Sequence, residues 1–294
     1  MGEIVGAGLV AHVPTMVLPE ADRLALNEGR ELSLVTGLHR LRSEVLDVLR
    51  PDTIVVLDSH WLTTVEFVVS AHERRAGRYT SDELPRGMAQ VPYDIVGDPE
   101  LANALALEAV GRDDMWVHAS SDPCLPIHYP TVNLLGFLQR DERWISISTC
   151  QTAQPDDFLL LGQLLARAVE RVDRRVVLLA SGALSHTFWP LRQLRAHESS
   201  DPSHIITAAA RDADHRVLGH WAKGDHRAVI DEMPEFQQVR PEGRFGHYLM
   251  MVGALGGRSC RAVGEHYSDY ENAIGTAQIH VWFPRPSAGW TAPG

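Results

Sequence analysis

Thr53-Ile54-Val55-Val56-Leu57 is an unbroken β-branched and aliphatic run closed by Asp58, with no polar face on which water could rest. A strand of this kind has to be covered on both sides, the condition of a central strand in a sheet layered between helices. Arg175-Val176-Val177-Leu178-Leu179-Ala180 repeats the pattern, and Ile4 to Val10 and the alternating Trp144 to Thr149 supply two more strands. Helical patterning fills the intervals: about 27–50, ended by Pro51, then 99–110, 156–172, 202–222, 225–232 and 243–255. Strands over 64–71 and 278–283 complete the reading. A turn-rich region holding Gly77, Pro85, Gly87, Pro92, Gly97 and Pro99 separates 71 from 99. This alternation predicts an α/β fold with a central mixed β-sheet flanked by helices. With no repeat or low-complexity linker, residues 1–285 read as one domain, and the Pro-, Gly-, Ser- and Ala-rich residues 286–294 as a flexible tail.

Charge and motifs remove several function classes. Lys+Arg number 27 against 38 Asp+Glu, a net charge of −11, and no basic stripe offers itself to phosphates, so nucleic acid is not an expected partner. No apolar stretch is long enough to span a membrane, and Met1-Gly2-Glu3 has neither a basic leader nor a lipidation signal; a cytoplasmic protein is expected. Cys124, Cys150 and Cys260 are too few and scattered for a disulfide framework or a Cys-x-x-Cys zinc site. The single lysine, Lys223, is followed by Gly224, which excludes a Walker A loop. Gly6-Ala7-Gly8-Leu9-Val10-Ala11 has the letters of a dinucleotide fingerprint, but Pro14 opposes the helix that such a loop must open. Ser181-Gly182-Ala183-Leu184-Ser185 lacks the nucleophile elbow of a serine hydrolase.

Fifteen histidines are the compositional anomaly, since imidazole is both a common metal ligand and a proton shuttle near neutral pH. Three of them share a position: His12, His60 and His186 each follow an apolar strand. In open α/β sheets the ligand crevice lies outside the carboxyl ends of the strands, so these residues can converge there. Two imidazoles and a carboxylate on one face form a triad that holds Fe(II) with positions left open. Glu242, at the entrance to the apolar helix Phe245 to Leu255, is a candidate carboxylate, although on spacing alone a solvated helix cap accounts for it better. The separations of 48 and 182 residues form no local motif, and spacing leaves the choice open.

Ala11-His12-Val13-Pro14-Thr15-Met16, Asp58-Ser59-His60-Trp61, Tyr79-Thr80-Ser81-Asp82-Glu83-Leu84-Pro85, Ala180-Ser181-Gly182-Ala183-Leu184-Ser185-His186 and Glu242-Gly243 before an apolar helix together resemble the class III extradiol ring-cleaving dioxygenases. The resemblance runs from the first strand to Phe283-Pro284. It is strongest to the branch acting on 3,4-dihydroxyphenylacetate, with protocatechuate and 2-aminophenol enzymes as more distant look-alikes. It implies that His12, His60 and Glu242 bind non-haem Fe(II), at the carboxyl ends of the strands, and that His186 is the acid/base.

The substrates implied are O₂ and a catechol, in particular one bearing a carboxylated side chain, with a muconic semialdehyde as product and a homo-oligomer as the usual assembly. His128, Tyr129, His118 and His247 are candidates for pocket contacts, and Arg244 for the cation that meets a substrate carboxylate. Where relatives commonly show Tyr-Gly-Thr, this chain has Tyr129-Pro130-Thr131, which predicts an altered pocket wall. Two rivals share the same residues: a zinc hydrolase with metal-bound water as nucleophile, and a non-catalytic binding protein on this scaffold. The presence of His186 speaks against the second, since a binding scaffold has no need of a placed proton donor.

Overall fold

Eight strands build one mixed sheet in the computed structural model, which describes residues 1–291. In chain order the strands are β1 (Glu3–Val10), β2 (Thr53–Thr63), β3 (Phe67–Ser70), β4 (Arg74–Tyr79), β5 (Val91–Val96), β6 (Val117–Ser120), β7 (Arg143–Cys150), β8 (Arg175–Ser181), β9 (Glu265–His266), β10 (Glu271–Ala273), β11 (Thr276–Gln278) and β12 (Val281–Pro284). The sheet order is β6-β3-β7-β2-β8-β1-β12-β9, and β4-β5 and β10-β11 form separate two-stranded ribbons. β7, β2, β8 and β1 run parallel, while β12 returns antiparallel to β1. The apolar runs at 54–57 and 176–180 lie at the centre, wholly buried, as their lack of a polar face requires.

Helices cover both faces: α1 (Glu20–Leu26), α2 (Ser33–Arg40), α3 (Asp47–Leu49), α4 (Pro99–Glu108), α5 (Tyr129–Leu138), α6 (Pro155–Arg171), α7 (Ala208–Trp221), α8 (His226–Asp231), α9 (Met233–Phe236) and α10 (Gly246–Ala254). One core is packed under α4, α6, α7 and α10, and the other under α2 and α5. α6 and α10 approach so closely that a Cβ at Gly162 would stand 2.1 Å from the Met250 carbonyl, which fixes α10 against the sheet. No helix among the described residues is long and apolar enough to cross a membrane.

Several element boundaries depart from the periodicity. The helix expected over 27–50 begins only at Ser33, because Glu28 and Gly29 take positive φ and buried Asn27 spends its side chain on Arg30 and Ser200; these residues instead end α1, which was not foreseen. β2 does not stop at 59–61 but continues beyond an excursion, its register on β7 passing from Asp58↔Ser148 directly to Leu62↔Thr149. The helix expected from 202 begins at Ala208, where Thr207 caps the Ala210 amide. The last strand is split at Ile279-His280, with β11 in a ribbon and β12 in the main sheet. β4, β5, β6 and α5 were not foreseen. Pro130 occupies the first turn of α5, where a missing amide costs no helical hydrogen bond, so it begins a helix. Of the expected tail, Trp290 donates its indole N–H to the Ile4 carbonyl, while residues 292–294 lie outside the described part.

Candidate metal centre

His12, His60 and Glu242 converge, their ligand atoms all within 4.8 Å of one another, and no other such group of three is present among the described residues. Glu242 Oε1 stands 3.2 Å from His12 Nε2 and 2.9 Å from His60 Nε2. His12 and Glu242 are 4% and 6% exposed, so the cluster is held largely out of water.

Several motif residues have a place in this assembly. His12 follows β1, and its Nδ1 bonds the Ser181 hydroxyl at 2.9 Å, at the end of neighbouring β8. In the excursion of β2, Asp58 Oδ1 accepts the amides of His60 and Trp61, and its Oδ2 accepts the Thr131 hydroxyl. Ser59 donates to Glu242 Oε1 at 2.6 Å, and the Ala183 amide donates to Oε2 at 2.6 Å. Gly182 lies against the His247 ring, where a Cβ would come within 2.5 Å of Nε2. Past Glu242 the backbone takes three successive positive φ angles, at Gly243, Arg244 and Phe245. Two of these are non-glycine residues, each held in a conformation costing roughly 1–3 kcal/mol, and the turn they make leads from Glu242 into α10.

The electrostatics follow from this enclosure. Burial pushes the Glu242 carboxyl upward, but the neighbouring imidazoles of His12 and His186 and hydrogen bonds from His12 and His60 outweigh it and hold the group well below the usual carboxylate range. His60 feels a lowering from burial, overcome by its bonds to Glu242 and to Glu83, and its imidazole is raised to about 10. Glu83 meets His60 Nδ1 at 2.9 Å from the loop joining β4 to β5. The two imidazoles thus turn Nε2 inward, with Nδ1 anchored from outside. Two nitrogens and one carboxylate oxygen, each ring oriented by an oxygen behind it, suit a divalent transition metal with open coordination positions.

The remaining candidates separate. His186 Nε2 is 3.9 Å from Glu242 Oε2, and burial pushes its imidazole below the ordinary value, which favours the uncharged ring. The Tyr129 hydroxyl bonds His60 Nε2 at 2.7 Å, at the cluster itself. His128 stacks on Trp61 at 5.6 Å with its buried Nε2 unpartnered. His118 is not brought in: it lies exposed on β6, the outermost strand, opposite Val68. His247 is fully enclosed beneath Gly182 rather than on an open face. Arg244 turns its guanidinium to the Gln151 carbonyl and the Gln154 side chain, so the cation expected there is already engaged. Sequence reasoning missed Glu83, Ser59, Ser181 and the Ala183 amide as partners, although all four lie inside the motifs that carried the resemblance.

A family model described as the catalytic LigB subunit of aromatic ring-opening dioxygenase matches residues 6–283. The 3,4-dihydroxyphenylacetate 2,3-dioxygenase of Escherichia coli is 31% identical over 260 residues, covering 87% of this chain and 91% of that protein. The alpha subunit of 2-aminophenol 1,6-dioxygenase from a Pseudomonas species is 22% identical over 230 residues, covering 76% and 82%. A solved structure of an uncharacterized protein from Escherichia coli K12 superposes with a TM-score of 0.65 at 17% identity, over 95% of this chain and 99% of that one, a likeness of fold alone.

Proposed function

Because the chain belongs to the LigB family of aromatic ring-opening extradiol dioxygenases, we propose that it uses Fe(II) to insert both atoms of O₂ into 3,4-dihydroxyphenylacetate or a related carboxylated catechol, giving a muconic semialdehyde. The observation that carries this reading is the His12–His60–Glu242 cluster with the imidazole of His186 beside it. The choice of catechol is supported by the similarity to the 3,4-dihydroxyphenylacetate enzyme.

His12, His60 and Glu242 would hold the iron, which when bound supplies a shared anchor and an electron path between catechol and O₂. Ser181 and Glu83 hold the two imidazoles by Nδ1, so each ring keeps one orientation through the cycle. Ser59 and the Ala183 amide hold the carboxylate of Glu242 in the same way. His186 accepts the proton of a catechol hydroxyl as the substrate binds and returns it to an oxygen as the ring opens. Tyr129 and the free Nε2 of His128 are the groups available to hydrogen-bond the substrate.

The test is oxygen uptake by anaerobically Fe(II)-loaded protein against a panel of catechols and 2-aminophenol. A higher kcat/KM for 3,4-dihydroxyphenylacetate than for catechol is expected. Equal efficiencies would remove the side-chain preference, a preference for 2-aminophenol would move the substrate class, and no uptake with any of them would sink the reading.

A further inference from the structure

Another buried carboxylate, unused in the chemistry above, is bonded to the segment that carries His186. Asp214, on α7, is 0% exposed, and no arginine, lysine or histidine pairs with it among the described residues. Its partners are three neutral donors: the Ser185 amide on Oδ1 at 2.9 Å, and on Oδ2 the hydroxyls of Ser185 at 2.7 Å and Tyr270 at 2.6 Å. Burying an anion without a cation is costly, and a set of donors on both oxygens is what makes it tolerable. Burial pushes this carboxyl up to about 6, with the three donors opposing it; its ionised form accepts all three bonds.

The segment that Asp214 holds is the one that sets the active-site spacing. Leu184 donates to the Ala277 carbonyl, and Ala277 donates back to Ser185. His186 donates to the Arg240 carbonyl, and the Glu242 amide donates to Leu184. Residues 184–186 therefore run between 277 and 240–242, and the rung between His186 and Arg240 lies two residues from Glu242. Of the three amides in this segment, only that of Ser185 lacks a backbone acceptor, and Asp214 takes it. The Ser185 hydroxyl is drawn to the same carboxylate, so both dipoles of one residue are fixed from one side.

We propose that Asp214 is a positioning residue which acts through Ser185, clamping residues 184–186 so that His186 stands at its working distance from Glu242 and from a bound catechol; this rests on the ring-cleaving function proposed above. The clamp is not a stabilising contact alone, because its target is the residue next to the acid/base. A displacement of about 1 Å at such a group is enough to cost up to 10²-fold in rate.

The experiment compares D214N, S185A, their double variant and Y270F, each loaded with Fe(II), well below its melting temperature. Asparagine keeps an acceptor for the Ser185 amide, but its amino group cannot accept from a hydroxyl. In D214N and in S185A, kcat per bound iron is expected to fall roughly tenfold while KM stays within about twofold and iron content is unchanged. In the double variant the loss is expected to remain near tenfold rather than hundredfold, since two residues of one clamp do not add. Y270F, which leaves Ser185 bonded, is expected to lose less than about threefold. A readout independent of turnover is amide hydrogen exchange at Ser185 and His186, expected to quicken in D214N. Normal kcat with unchanged exchange overturns the proposal, as does multiplicative loss in the double variant. If D214N does not fold, S185A decides, and an unaffected S185A overturns it. Should the wild type consume no oxygen with any catechol, the function falls, while the exchange at residues 185 and 186 still settles whether Asp214 clamps them.

Discussion

The half-exposed carboxylate of Glu83 meets Nδ1 of His60 at 2.9 Å, while Nε2 of the same ring meets the buried carboxylate of Glu242 at 2.9 Å. One imidazole thus joins a surface loop to the buried carboxylate of the cluster. A carboxylate that accepts Nδ1–H makes Nε2 the nitrogen that gives its lone pair to a metal once the ion displaces the proton shared with Glu242.

Removing Glu83 is therefore expected to weaken metal binding rather than abolish it. Glu83→Ala is expected to lower Fe(II) affinity by about 10- to 100-fold, with Glu83→Gln, which still offers an acceptor oxygen, lying between it and the wild type. Competitive titration against a chelator measures this. Wild-type affinity in Glu83→Ala would show that the His60 ring is oriented without it.

His186 and the ligand residues fail in different ways. His12→Ala, His60→Ala and Glu242→Ala are each expected to lose iron and activity together, because a site of three ligands has no redundancy. His186→Phe is expected to keep its iron and lose roughly 10²- to 10⁴-fold in turnover, the usual worth of a placed acid/base group. Metal analysis and oxygen uptake on the same samples separate the cases. Iron loss in His186→Phe would make that residue a ligand.

Gly182→Ala is expected to be severe for a residue so small. The added methyl meets the His247 ring at 2.5–2.8 Å, and α10 cannot retreat from its close approach to α6. The turn that must move carries the Ser181 hydroxyl for His12 and the Ala183 amide for Glu242. Loss of most of the bound metal is expected, with a lowered melting temperature. Restoration of metal binding by a second change, His247→Ala, checks that the collision is the cause.

The pH dependence of stability has a named contributor in His280. Its Nδ1 accepts the Ala11 amide and its Nε2–H donates to the Leu34 carbonyl, so the ring is neutral in the fold, and burial lowers it to about 4. The unfolded chain, with an imidazole near 6.5, binds the proton first. Stability from this group is therefore complete above about pH 6.5, is lost as pH falls from there, and is gone below about 4, a contribution on the order of 3 kcal/mol. Chemical denaturation between pH 7.5 and 4 is expected to give a smaller slope for His280→Gln than for the wild type. Equal slopes would assign the acid sensitivity to other groups.

The sheet and the strand-end histidines were legible because apolar runs such as 54–57 admit few other fates, and His12, His60 and His186 stand directly after them. Hidden features were those in which a side chain replaces a backbone partner. Asp58 accepts two amides two and three residues on, so β2 bulges where the pattern suggested an end. His280 takes the Ala11 amide, so a single apolar run becomes two strands. The β4–β5 ribbon escaped notice because β4 is polar and mostly exposed, and because the glycines and prolines of this region read as turns, which hid the short apolar face of Val91, Tyr93 and Ile95 on β5. Glu83, the partner of His60, lies on the loop that closes this ribbon. His118 misled because its type suggested chemistry, while an edge strand sets it apart from the cluster.

The pairing of β1 with β12, Gly6 against Pro284, has a kinetic meaning. The strand leading to His12 has a neighbour that is synthesised almost a whole chain later, and such long-range pairing is slow because so much loop must be closed before any contact is gained. Until β12 arrives, one edge of β1 offers its amides and carbonyls to any other strand, the situation that invites aggregation. A metal ion cannot shorten this interval, since Glu242 also joins late and two imidazoles alone make a weak trap. Folding of this chain should therefore depend on how well β8, already beside β1 in the parallel core, keeps that strand in register while the remainder is made.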